Sequence, residues 1–230
     1  MSHRALLLAF PLAALLAGCG PDEFQKGTEL PPPELVTIAE ARALPANEYT
    51  QIEGFVSVPS GTYFSATGDF GFAIQDDTGG IYVSLLDPVN ILIGSQVRVI
   101  GQVTQVSKQT VLVTNATGPQ VLGGVKEVMP KDVTAGDVGE STEGQLVRVK
   151  GKVSKDLVQE QFVGVRASVD DGSGEIQIFV CLQGDKPLID TTKLTVGAEV
   201  EITGLVQQYF ERYEIAPRGA VDLVIPAPSP

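Results

Sequence analysis

Tryptophan is absent from these 230 residues, histidine occurs once, at His3, and cysteine twice, at Cys19 and Cys181. His3 sits in an N-terminal stretch that reads as a cleaved leader, so the mature chain has no imidazole. That excludes Ser-His-Asp and Cys-His catalysis and histidine-based metal sites. Two cysteines so placed give no disulfide framework. Basic residues are also scarce: 16 Lys and Arg stand against 28 Asp and Glu, a formal charge of −12. Such a chain repels polyanions at range and keeps at most a local basic patch. Long apolar runs are missing too. Ala5 to Leu16 spans 12 residues, roughly 18 Å as helix, which is short of a hydrocarbon core of roughly 30 Å. No S-x-x-K, G-x-S-x-G or phosphate-cradling glycine motif occurs, and the carboxylates cluster in turns rather than as a pair across a pocket. The composition predicts a protein that is not an enzyme and carries no cofactor or metal.

What is present begins with a basic start, Met1-Ser-His-Arg4, an apolar stretch, and Leu16-Ala17-Gly18-Cys19. These are the parts of a secretory signal over 1–18. Cys19 directly after Leu-Ala-Gly resembles the lipobox of bacterial lipoproteins. The resemblance implies a diacylglycerol thioether on Cys19, cleavage before it, and an acylated N-terminus. Several acyl chains anchor stably where one is marginal. Gly20, not Asp, follows the cysteine, which in that family implies outer-membrane sorting, on the periplasmic or surface face. Removing Arg4 with the leader leaves 15 basic residues and a charge of −13.

Residues 19–34 are polar and rich in proline, with Pro31-Pro-Pro33, and read as a stalk; 226–230 read as a flexible tail. Between them lies an internal repeat. Gln51-Ile-Glu-Gly54 recurs as Arg148-Val-Lys-Gly151, Asp76-Asp-Thr-Gly-Gly-Ile81 as Asp171-Gly-Ser-Gly-Glu-Ile176, and Ile93–Gly101 as Val196–Gly204, at offsets of 97, 95 and 103. A repeat of that length suits a domain with its own core, so the body divides into 35–124 and 125–225. Period-two alternation predicts strands at 49–58, 71–76, 81–86, 95–106 and 109–114, then at 145–153, 162–170, 175–182, 198–208 and 211–217. Asp-Gly-type turns join the second and third strands of each copy. Glycines inside the first and fourth strands mark the bends of a closing barrel. Helix is scarce: Thr37-Ile-Ala-Glu40 predicts a capped helix at 38–44, ended by Pro45. The fold class is all-β, two tandem five-stranded OB-fold-like Greek-key barrels. Glycines Gly123-Gly124 and the polar stretch 126–142 permit motion between them.

Thr37–Pro45, Glu53-Gly-Phe-Val56, Ile74–Val83, Ile93–Gly101 and Glu143–Gly151 resemble the OB-fold modules of secreted bacterial proteins. Those modules accompany extracellular nuclease or phosphatase domains, or stand alone on lipoproteins. The resemblance covers most of 35–225, but it implies a fold and not a site.

OB-folds bind along strands 2 and 3 and the flanking loops. Tyr63, Phe64 and Phe70 in the glycine-rich loop, Tyr82 on the third strand, and Tyr209, Phe210 and Tyr213 around the last turn are therefore the candidate ligand-binding residues. For nucleic acid, Arg148, Lys150 and Lys152 share one strand face. Asp76-Asp77 and Asp170-Asp171 with Glu175 have calcium-like spacing, but they match no full EF-hand loop and suit a hairpin turn. Cys181 reads as a small buried hydrophobe. The expected function is a membrane-anchored, non-catalytic binding module for a protein or glycan of the cell envelope. An accessory nucleic-acid-binding role and a structural spacer are the alternatives.

Overall fold

Each copy of the repeat closes on itself in the same strand order. The computed structural model describes residues 31–62 and 68–226. The leader, Cys19, most of the stalk, the end of the tail, Tyr63 and Phe64 lie outside them. In the first barrel β1 (Tyr49–Val58), β2 (Phe72–Gln75) and β3 (Gly80–Ser84) form a meander. β4 (Ser95–Val106) and β5 (Gln109–Thr114) form a hairpin. β5 joins β3 in parallel, and β4 returns to β1 to close the sheet. The second barrel repeats this with β6 (Leu146–Glu160), β7 (Gly164–Asp170), β8 (Glu175–Gln183), β9 (Glu199–Tyr209) and β10 (Arg212–Ala216). There β8–β10 is the parallel pair and β9–β6 the closing one. This is the OB-fold topology, twice. At the predicted corners, a Cβ on Gly101 or Gly204 would sit 2.3 Å from the Val113 carbonyl oxygen or 2.5 Å from that of Ala216. Only glycine admits the crossing strand there.

The ten strands read from the alternation are all present close to their expected bounds, with one exception, and the structure adds a strand at Gln120–Val125. β6 runs to Glu160, well past 153, and overhangs the barrel as a hairpin with β7, pairing Glu160 with Gly164. The helix α1 (Ile38–Arg42) is capped as expected. It stops short of 44 because the residue before Pro45 disfavours helical backbone.

The acidic turns latch the segment leading into each barrel. Ile38 N donates to Asp76 Oδ2 at 2.9 Å and Ala39 N to Thr78 Oγ1 at 3.1 Å. In the second copy Ala135 N donates to Asp171 Oδ2 at 2.8 Å and Gly136 N to Ser173 Oγ at 2.9 Å. The remaining oxygens Asp76 Oδ1 and Asp171 Oδ1 accept backbone N–H groups of their own turns. These carboxylates thus complete the turns and hold the incoming chain.

The barrels pack together. Each has its own core, and a further cluster joins Val58, Ala73, Tyr82 and Val111 of the first to Cys181, Leu205 and Ala216 of the second. Gly123 and Gly124 are part of a strand, Gln120–Val125, paired to β4, rather than a hinge. At the seam Leu146 N donates to Gln75 Oε1 at 2.6 Å. Arg42 Nη1 and Thr110 N both donate to the buried Glu143 Oε1, at 2.9 and 3.0 Å. Burial pushes the Glu143 carboxyl up, against the pull of Arg42. Gly80 and Gly144 bring the two backbones into contact: a Cβ on Gly144, whose φ is +78°, would lie 2.4 Å from Gly80 O.

Gly144→Ala is expected to cost about 2 kcal/mol or more, since it adds left-handed strain to an overpacked seam. A denaturant midpoint within error of the parent protein would show that the seam is not close-packed.

Candidate nucleic-acid interface

The β6–β7 hairpin turns at Gln161-Phe162-Val163, just beyond the Glu160–Gly164 pair. Phe162 has φ +69° and is 88% exposed. A bulky residue in left-handed backbone is an outlier costing roughly 1–3 kcal/mol, and such strain gathers at functional sites. The β9–β10 turn does the same with Phe210, φ +54°. The first barrel holds that turn in place. Phe210 N donates to Ser107 O at 2.7 Å, and Lys108 pairs with Glu211. Phe210 packs edge to face on Tyr209 with centroids 4.9 Å apart, and the Arg212 guanidinium sits 5.5 Å over the Tyr209 ring.

Between these turns runs a groove of about 500 Å³. Phe162, Phe179 and Tyr209 give it aromatic linings, Arg166, Gln207 and Glu214 polar ones, and Gly68 of the first barrel touches one side. Arg166 and Glu214 are 9% and 6% exposed. Arg166 forms an ion pair with Glu160, yet its Nε and Glu214 Oε2 are buried with no hydrogen-bond partner. Burial pushes the Glu214 carboxyl up to about 7, against the pull of Arg166 and Arg212.

Of the sequence candidates, Tyr209 lines this groove and Phe210 supports it. Tyr82 is corrected. It is 1% exposed, its ring lies in the cluster joining the barrels, and its hydroxyl donates to Asp69 Oδ1 at 2.7 Å, so it cannot stack on a ligand. Tyr213 packs against the second core and donates from its hydroxyl to Glu140 Oε2 at 2.8 Å. Phe70, exposed on the first barrel's loop, is not among the residues that line the groove. Arg148, Lys150 and Lys152 do share β6, but Arg148 is bonded to Asp132 at 2.6 and 2.9 Å, Lys150 to Glu201 at 3.1 Å and Lys152 to Glu199 at 3.6 Å. Lys150 and Lys152 line a separate groove of about 520 Å³ with Asp170, Asp171, Glu199 and Glu201 also on it. Cys181 is buried as expected, and burial pushes its thiol up to about 11, which leaves it unreactive.

Phe162, Arg166, Phe179 and Glu214 were not singled out from sequence. The available signal was positional: Phe162 stands where Tyr63 and Phe64 stand in the first copy, between the first and second strands.

No family model and no curated protein sequence matches the chain. Among solved structures it is similar to a murine DNA-binding protein bound with double-stranded DNA, at 12% identity and a TM-score of 0.41 over 78% of this chain and 98% of that one. It is similar to a replication protein A heterotrimer bound to single-stranded DNA, at 10% identity and TM-score 0.31 over 84% and 69%. The single-stranded DNA-binding protein of Thermus aquaticus matches at 12% identity and TM-score 0.28 over 80% and 94%. The expected protein or glycan partner is set aside as a correction. Tyr82, on the aromatic face it relied on, is spent inside the molecule.

The raised Glu214 carboxyl has a consequence for stability. The folded chain holds a proton that the unfolded chain releases above its ordinary 4.5, so stability falls as pH rises from 4.5 to about 7 and is level beyond. Buried Glu143 acts with the same sign. Asp132, which the Arg148 guanidinium holds low, acts in the opposite sense and only below the ordinary carboxylate range. Denaturant unfolding at pH 5 and 7.5 is expected to show a loss of up to about 3 kcal/mol that Glu214→Gln removes in large part. An unchanged pH dependence in the variant would mean that Glu214 titrates normally.

Proposed function

We propose that this chain is a non-catalytic OB-fold module that binds short single-stranded nucleic acid in the second barrel's groove. We propose also that it works outside the cytoplasm, held to a bacterial membrane by lipid on Cys19. The observation that carries the first part is Phe162, exposed on strained backbone at the rim of a groove that also holds Phe179 and Tyr209. An exposed aromatic kept in that conformation is a platform for a flat ring. Stacking on bases is worth roughly 1–3 kcal/mol each and tolerates any sequence. At about 500 Å³ the groove has room for unstacked bases. Its place, beside the loops between strands 1 and 2 and strands 4 and 5, is where OB-folds take oligonucleotides.

Electrostatics sets the manner of binding. Arg166 is offset by Glu160, and Lys108 by Glu211, on a chain of charge −12. Few phosphates are neutralised, so affinity comes from stacking and depends weakly on salt. Arg148, Lys150 and Lys152 stay outside the interface because their carboxylate partners already occupy them.

A titration of the full chain in mild detergent with a fluorescent eight-residue thymidine strand is expected to give micromolar binding. Phe162→Ala and Tyr209→Ala should each weaken it about fivefold to a hundredfold, whereas Lys150→Glu leaves it unchanged. Absence of binding at low salt sinks the reading. The anchor rests on Leu16-Ala17-Gly18-Cys19. Metabolic labelling with palmitate in a bacterial host is expected to mark the protein and to fail with Cys19→Ser; equal labelling of both would refute it.

A further inference from the structure

The groove of the second barrel is lined in part by the first. Gly68, in the first barrel's loop between β1 and β2, is one of its lining residues. From there the chain dips inward and out again: Gly68 is exposed, Asp69 buried, and Phe70 37% exposed. Two residues span at most roughly 7 Å, so Phe70 stands within about one nucleotide's step of the groove's edge. Its backbone is fixed on both sides. Phe70 N donates to Leu85 O at 3.2 Å, and Phe70 O accepts from Gly61 N at 3.1 Å and from Ser60 Oγ at 2.6 Å.

A buried carboxylate holds this end of the loop. Asp69 Oδ1 accepts from the Tyr82 hydroxyl at 2.7 Å and from Gly71 N at 3.0 Å, and Asp69 Oδ2 accepts from Ser84 Oγ. A Cβ on Gly71 would lie 2.7 Å from the Tyr82 oxygen, so glycine there lets the hydroxyl reach the carboxylate. Hydrogen bonds to an ionised group are roughly twice as strong as neutral ones. The Tyr82 ring belongs to the cluster that joins the barrels. The second barrel therefore packs on the ring whose hydroxyl fixes Asp69, and through it on the loop that lines its own groove.

We propose that the binding site is shared between the barrels: a single strand seated on Phe162 and Tyr209 crosses Gly68 and stacks a further base on Phe70, with Asp69 as a positioning residue. Such a site rests on the nucleic-acid reading above and extends it across the seam. Gly68 suits the crossing, because a Cβ there would meet nothing within 4 Å and the bare backbone leaves the passage open. Asp69 is turned inward under its three donors, so its charge does not face the strand's phosphates.

The test uses the full chain and eight-residue thymidine strands in which one thymine at a time is replaced by 5-iodouracil, which cross-links on illumination to an aromatic ring it stacks against. Cross-links are expected at Phe162 or Tyr209 from one part of the strand and at Phe70 from positions nearer one end. Phe70→Ala should weaken binding about fivefold to a hundredfold. Tyr82→Phe keeps the ring in the seam and removes only the hydroxyl. It should retain the cross-link at Phe162 or Tyr209, lose most of that at Phe70, and weaken binding less than Phe70→Ala does. Cross-links in the second barrel with none at Phe70, or full affinity in Phe70→Ala, overturn the shared site and leave the groove reading standing. A Phe70 cross-link that Tyr82→Phe does not diminish overturns the positioning role of Asp69. No binding to any strand overturns both the shared site and the nucleic-acid reading.

Discussion

The close approach of the two backbones at Gly80 and Gly144 sets the spacing on which the rest of the molecule depends. A methyl group at either position would meet the carbonyl of the facing glycine inside contact distance, so the barrels meet directly. At that distance Tyr82 and Val111 reach Leu205 and Ala216 to form a common apolar cluster. Arg42 then meets Glu143 across the seam. The same spacing places the Ser107 carbonyl under Phe210 N. The turn bearing Tyr209 and Phe210 is thus held by the other barrel, and the groove has a fixed edge because the seam is tight.

Much of the fold was legible from residues alone. Alternation such as Val97, Val99 and Val103 locates a half-buried strand because its period is that of the pleat, and Gly101 and Gly204 mark corners where no side chain fits. The latch was half legible. Asp76 and Asp171 announced turns, but that each reaches the chain leading into its own barrel is a long-range fact that local spacing does not carry.

The site was less legible, for two physical reasons. Alternation assigns Tyr82 to the outward face of β3, and it is outward; what no local pattern reveals is that another barrel covers that face. The far half of β6 is largely exposed, so Lys155, Asp156 and Gln159 show no apolar rhythm and the strand seemed to end at 153. Phe162 therefore read as the first residue of a strand, although it stands at a hairpin tip. Arg166 and Glu214 resembled ordinary outward charges, and only their burial without full pairing separates them from such charges.

Duplicating a binding module ordinarily doubles its valency, and with it the gain in avidity that two linked sites allow. Here the corresponding face of the first barrel, carrying Ala73 and Tyr82, is sealed beneath the second. One copy has become the scaffold that steadies the other. On the proposed reading, the described residues of this duplicated fold offer that ligand one groove, and binding would be one to one. If the proposed lipid anchor gathers copies side by side, their number would supply the valency that duplication did not.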